Sequence, residues 1–180
     1  GEMYGKTVGL VGLGGIGAAV AERAVAFGMK VVAIRRTTTA PPVPGVEMVG
    51  SLHELLSVSD HIVVCAPATP STHNLLDDAA FAAMKPGAHV INVARGAHLV
   101  DDDLISLLDS DHLAGATLDV FRTEPLSAGH PFWQHPKIVV TPHTSARTLR
   151  SESITQITSK ITAIQRGEPV AGVVEPSRGY

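Results

Sequence analysis

Apolar residues along the chain fall into short runs of strand length, separated by longer stretches with helical spacing. That alternation is the signature of βαβ units and a parallel sheet. Six runs rich in valine and isoleucine read as strands, at 7–11, 30–34, 61–65, 89–92, 116–118 and 138–141, each bounded by Gly, Pro, Asn or Asp. They predict an α/β fold in three layers, a doubly wound parallel sheet with helices on both faces. Between the strands, a helical pattern continues over 18–27, and Ser51 with Glu54 forms a capping box that opens a helix reaching Val58. Asp101 is expected to cap a helix over 102–108. A polar helix is predicted over 148–166, stopped by Gly167 and Pro169, and 170–180 follows as a tail too short to fold alone. Three prolines and a glycine within residues 37–45 make that stretch a loop. No repeat or low-complexity segment is evident.

Composition narrows the function classes. The 180 residues, 44% of them apolar, fit one domain of ordinary size with enough material for a core. Fourteen basic and seventeen acidic residues give a formal charge of −3 with no basic run, so neither nucleic acid nor an anionic membrane surface is expected as a partner. No apolar stretch approaches the roughly 20 residues of a membrane span, and the start, GEMYGK, lacks a charged-then-apolar leader pattern. The single cysteine, Cys65, sits in an apolar run, excludes an intrachain disulfide and reads as a buried small hydrophobe of a reducing, cytoplasmic compartment. The nine histidines show no metal-ligand spacing, and one cysteine makes no thiolate site, so no metal is expected.

The chemistry begins after the first strand, with Gly12-Leu13-Gly14-Gly15-Ile16-Gly17 leading into a helix. Strand, glycine turn and helix in this order form the dinucleotide-binding unit of a Rossmann sheet. Gly12 permits the tight turn, Gly14 lets a pyrophosphate approach the backbone, and Gly17 lets the helix pack on the strand. The amides of Gly15, Ile16 and Gly17 would face the phosphates. At the end of the second strand an acidic residue would hold the ribose hydroxyls of NAD. Eighteen positions after Gly17, this chain has Arg35 followed by Arg36. Guanidinium groups suit a 2′-phosphate, so NADP(H) is the expected cofactor, with NAD(H) as the alternative.

Five further stretches match one family in order and spacing: GKTVGLVGLGGIG (5–17), APATPSTHNLL (66–76), INVARGAHLVDDDLISLL (91–108), GATLDVFRTEPL (115–126) and TPHTSA (141–146). Over nearly its whole length the chain resembles the nicotinamide-binding domain of the D-2-hydroxyacid dehydrogenases. FWQHP (132–136), the ending at 167–180 and the arginine after the second strand resemble the glyoxylate/hydroxypyruvate reductase branch. The resemblance implies three catalytic residues. Arg95 would hold the carboxylate and carbonyl of a 2-oxo acid, His143 would give the proton that accompanies hydride transfer, and Glu124 would stabilise the imidazolium and orient its ring. It also implies Pro67 and Thr69 beside the adenosine, Val93, Ala94 and Asp119 beside the nicotinamide, and Ser145 among the cofactor contacts. Trp133 reads equally as pocket, dimer-contact or packing material.

The same resemblance implies a second, substrate-binding domain built mostly from residues preceding Gly1, to which the tail at 167–180 returns from a dinucleotide domain spanning 1–166. A homodimer acting on a small 2-oxo acid, glyoxylate or hydroxypyruvate, is the expected assembly and chemistry. Two other readings share this fold: a non-catalytic dinucleotide sensor like the family's corepressor relatives, and a related dehydrogenase acting on formate or phosphoglycerate.

Overall fold

The structure is a computed structural model that describes residues 2–36, 41–146, 149–170 and 172–173. The first part of the predicted loop at 37–45 and most of the tail therefore lie outside the described residues, as does the predicted start of the last helix at Thr148. Two compact units divide the chain at 143/144, ahead of the expected break at 166/167.

In the first unit, the described residues form seven parallel strands: β1 (Thr7–Val11), β2 (Lys30–Ile34), β3 (Val46–Met48), β4 (His61–Val64), β5 (Ala88–Asn92), β6 (Leu113–Leu118) and β7 (Ile138–Val140). Their order is β3-β2-β1-β4-β5-β6-β7. The chain winds outward from β1 through β2 to β3, then returns to the other side of β1 with β4, so the order reverses between β1 and β4. Register pairs Ile34 with Val11, Val11 with Val64, Val64 with Asn92, Asn92 with Leu118, and Leu118 with Val140. These six strands finish in line, and every loop that follows them leaves from one edge. Ligands of open α/β sheets bind at that edge, at the reversal.

Both faces of the sheet are covered. Successive residues of a strand point to opposite faces, and in β4 Ile62 and Val64 join one apolar cluster while Val63 joins the other. The larger cluster holds Leu55 and Leu56 of helix α2 (Leu52–Val58), Phe81 of α3 (Asp78–Ala82), and Leu104 and Leu108 of α4 (Asp101–Asp109). The smaller packs Ala21 and Ala24 of α1 (Gly15–Ala26) on Val8, Leu10, Val31 and Ala33. This is the three-layer arrangement expected from the hydrophobic pattern.

Several local readings need correction. Strand β3 and helix α3, with three and five residues, are too short to show a period and went unread. Strand β6 starts at Leu113, three residues before the predicted 116, because Gly115 masks the run. A Cβ at Gly115 would stand 3.1 Å from Lys137 O, so the glycine lets β7's approach close up. Asp101 is not a cap: Val100 holds the N-cap of α4, and Asp101 sits in the first turn facing Arg122 and His130 at 3.7 and 3.5 Å. Ser51 does cap α2, accepting from Glu54 N at 3.1 Å, but the Glu54 carboxylate accepts from Gly50 N, one residue outside the expected box. Cys65 is half-buried rather than fully buried. Burial still pushes its thiol up to about 11, so it stays protonated.

The second unit contains helix α5 (Arg150–Gln165), followed by Gly167 at φ +70°. It is less uniformly polar than its composition implied. Ile154, Ile157, Ile161 and Ile164 recur at helical spacing along it, and all four are exposed.

Candidate active site

The glycine turn follows β1 at the reversal point. Gly12, at φ +102°, donates its N–H to Ile34 O at 3.0 Å, and a Cβ on it would lie 2.8 Å from Ala66 N. Only glycine fits between the ends of β2 and β4 there. A Cβ at Gly17 would fall 2.3 Å from Gly12 O, so this glycine sets how closely α1 packs on the turn. Gly14, the N-cap, and Gly15 are different: a Cβ on either would stand in open space. Helix α1 has no side-chain cap among the described residues and no acidic residue in its first turn. Its opening amides lack intrahelical acceptors and face outward, which is the donor set a pyrophosphate requires. Ile16, in that first turn, is exposed. Arg35 and Arg36 follow β2 directly, half-buried and exposed respectively.

The loop after β4 carries Pro67 and Thr69. Thr72 Oγ1 donates to Pro67 O at 2.8 Å and accepts from Thr69 N at 2.9 Å, so the loop is held by its own threonines. Beyond β5, buried Asn92 shapes the next turn: its Oδ1 accepts from Ala94 N at 3.1 Å, and its Nδ2 donates to Arg95 O at 3.0 Å. Val93 is thereby half-buried and Ala94 buried, while the Arg95 side chain emerges exposed, with Nη1 donating to Ala94 O at 2.6 Å.

Loops after β6 and β7 complete the edge. Asp119 is buried at the end of β6 and accepts from Thr141 Oγ1 at 2.5 Å. Glu124 receives Phe121 N on Oε1 at 2.9 Å and the His143 Nδ1–H on Oε2 at 2.7 Å. A carboxylate only accepts, so Nδ1 carries the proton and Nε2 is the nitrogen that remains for a substrate oxygen. The bond from His143, then that from Phe121, holds the Glu124 carboxyl below its ordinary value of 4.5, and the field of Arg95 adds to the effect. His143 adopts φ +53°, a left-handed backbone uncommon outside glycine, with its N–H donating to Thr141 O at 3.0 Å. The Arg95 and Glu124 loops meet through Gly96: a Cβ there would lie 1.9 Å from the carbonyl carbon of Phe121.

Arg95, Glu124 and His143, scattered in sequence, thus share one region of the sheet edge. Gly12 to Gly17, Arg35, Arg36, Pro67 and Thr69 follow the ends of β1, β2 and β4. A family model described as the D-isomer specific 2-hydroxyacid dehydrogenase, NAD binding domain, matches residues 1–145.

The chain belongs to this family.

Among its relatives, a glyoxylate/hydroxypyruvate reductase A of Serratia proteamaculans (strain 568) is 41% identical over 177 residues, covering 97% of this chain and 56% of that protein. The counterpart from Photorhabdus laumondii subsp. laumondii is 39% identical and is also covered to 56%. The chain spans about half the length of the curated relatives it matches. A D-isomer specific 2-hydroxyacid dehydrogenase of Xanthobacter autotrophicus Py2, solved with NADPH and MES, superposes with a TM-score of 0.91 at 39% identity, over 97% of this chain and 73% of that one. An NADPH-dependent glyoxylate/hydroxypyruvate reductase of Sinorhizobium meliloti, solved with NADP and sulfate, gives a TM-score of 0.92 at 34% identity, over 97% and 57%.

In this member of the 2-hydroxyacid dehydrogenase family, sequence reasoning passed over Asn92 and Gly96, which form the turns that present Arg95 and Glu124. Asn92 closes a strand and Gly96 follows an arginine, positions where the residue type alone carries no chemistry. Arg122 was also missed: it donates to Leu99 O and Asn74 Oδ1 and faces Asp101, fastening the loop that carries Glu124. Ser145 lies in the second unit, in an exposed turn. Trp133 is half-exposed and donates from Nε1 to Ser127 O at 2.8 Å. Among the described residues, no group of three His, Cys, Asp or Glu side chains could hold a metal, and no helix is long and apolar enough to cross a membrane.

Proposed function

We propose that this chain is the cofactor-binding part of an NADP(H)-preferring 2-hydroxyacid dehydrogenase that works as a reductase of small 2-oxo acids, glyoxylate or hydroxypyruvate. The observation that carries the reading is the 2.7 Å bond between His143 and Glu124 at the strand edge that also presents Arg95. A bound reduced nicotinamide supplies a hydride to the substrate's carbonyl carbon. The residues of this chain do the rest. Arg95 binds the substrate carboxylate through its guanidinium fork. His143 gives its Nε2 proton to the carbonyl oxygen as negative charge develops there, while Glu124 steadies the ring and its charge. In the oxidative direction the neutral ring takes the proton back.

Binding falls to the other end of the edge. The opening amides of α1, from Gly15, Ile16 and Gly17, would hold the pyrophosphate, with Gly12 and Gly14 leaving the space. Arg35 and Arg36 would hold a 2′-phosphate, Pro67 and Thr69 would border the adenosine, and Val93, Ala94 and Asp119 the nicotinamide. The named activity of the Serratia relative and the NADP(H) in the two solved structures support this reading. We further read the protein as a cytoplasmic homodimer.

The test is NADPH oxidation with glyoxylate and hydroxypyruvate, for this chain alone and for the protein at its full natural length. The chain alone should bind NADPH but turn over at a rate orders of magnitude lower, because orientation and exclusion of water in a closed cleft supply much of the barrier lowering. Absence of NADPH binding to the folded chain would overturn the reading.

A further inference from the structure

Two loops of the edge are tied together by one buried side chain to which no step above gives work. His98 ends the short helical turn after Arg95 and is 1% exposed. Its Nδ1 lies 2.8 Å from Arg95 O and its Nε2 lies 3.2 Å from Pro67 O. Both partners are carbonyls, so in both contacts the ring is the donor. A neutral ring serves one of them at a time, and the imidazolium serves both. Each carbonyl has a second donor that fixes it in place, Asn92 Nδ2 on Arg95 O at 3.0 Å and Thr72 Oγ1 on Pro67 O at 2.8 Å. Alongside, the two loops part around a cavity of about 520 Å³ bordered by Thr69, Thr72, Ala97 and His98. The ring therefore spans a place where the loops do not close on each other.

The geometry points to His98 as a positioning residue that couples the two ends of the site. One nitrogen sets the main chain from which the Arg95 side chain leaves, and the other sets the loop that carries Pro67 and Thr69. This rests on the proposed roles of Arg95 on the 2-oxo acid and of Pro67 beside the adenosine. A ring tilted or withdrawn would displace Arg95 and the nucleotide loop together, so filling one subsite would order the other.

Two amide substitutions separate the bonds. His98→Asn places its amide nitrogen near the position of Nδ1 and keeps the Arg95 contact alone, whereas His98→Gln reaches the position of Nε2 and keeps the Pro67 contact alone. In the protein at full natural length, H98N should weaken NADPH binding about five- to tenfold while the KM for glyoxylate stays within about twofold of the unsubstituted value. H98Q should do the reverse, raising the KM for glyoxylate about five- to tenfold with NADPH affinity within about twofold. Variants that change both quantities together, or neither, would overturn the assignment of one loop to each ring nitrogen, and with it the proposal, while leaving the reductase reading intact. An unsubstituted protein that binds no NADPH would remove both. Should a variant fail to fold, the ring signals of His98 in the unsubstituted protein decide by nuclear magnetic resonance. NADPH should shift the Nε2 resonance and oxalate, as an unreactive 2-oxo acid mimic, the Nδ1 resonance; ring signals that ignore both ligands would overturn the proposal.

Discussion

At the scale of single residues, the site separates into groups that act and groups that aim. Glu124 aims. Its carboxyl is held below 4.5, first by the bond from His143 and then by that from Phe121 N. The pair is therefore present above the unfolded value and is lost as pH falls through the lower folded one. Titration followed at the Glu124 carboxyl carbon should find a midpoint below 4.5, and His143→Ala should move it upward. The same variant in the full-length protein should lower kcat about 10²- to 10⁴-fold, the usual worth of a positioned acid, and an undiminished rate would remove His143 from the chemistry. Arg35 is the residue proposed to decide between cofactors. Charge-assisted bonds contribute roughly 1.5–3 kcal/mol each, so NADPH should bind at least about tenfold tighter than NADH, and Arg35→Asp should erase or reverse that preference in calorimetric titration. The sequence proposes these residues because arginine after a second strand, and histidine and glutamate in fixed motifs, carry their chemistry in their type. Asn92, Gly96 and His98 were not legible, because they act through main-chain atoms of neighbours that only the fold supplies.

Elements show the same division. Strands β1 and β2 were read to the residue, since each is a valine-rich run closed by a break in the pattern, and the ordered ends of the six aligned strands explain why the scattered triad converges. β3 and α3 escaped because short elements owe their existence to pairing and packing rather than to period. Tight contacts between elements lead to a sharp expectation. Gly17→Ala would press a methyl to 2.3 Å from Gly12 O, and Gly96→Ala would press one to 1.9 Å from the Phe121 carbonyl carbon. Both neighbours are backbone, so each variant should lose about 1–3 kcal/mol or more in denaturant unfolding, whereas Ala at Gly14 or Gly15 should leave the fold nearly as stable and show its cost in dinucleotide affinity. Between β5 and β6, His89 meets Thr117 Oγ1 at 2.9 Å; burial, then His61, pushes its ring below 6.5. The unfolded ring takes up a proton near that value while the folded one resists, so stability falls as pH drops below about 6.5 toward the folded value. The thermal midpoint of the chain should decline across that interval, and His89→Gln should flatten the decline.

Over the whole molecule, the fold class followed from the alternation of strand and helix patterns. The strand order bears on inheritance as well as on binding. Everything proposed to recognise the adenosine and its phosphates lies between β1 and Thr69, on β2, β1 and β4, and everything proposed to touch the reacting carbons lies from Val93 onward, on β5, β6 and β7. The reversal at β1 thus makes the two competences contiguous in the gene as well as separate in space. A recombinant joined between Ser71 and Asn74, in which only residues 1–71 are replaced by those of an NADH-preferring relative and everything else is kept, should exchange coenzyme choice wholesale and keep its choice of oxo acid. Homologous shuffling across that seam gives such a lineage a direct route to new redox partners without disturbing its chemistry.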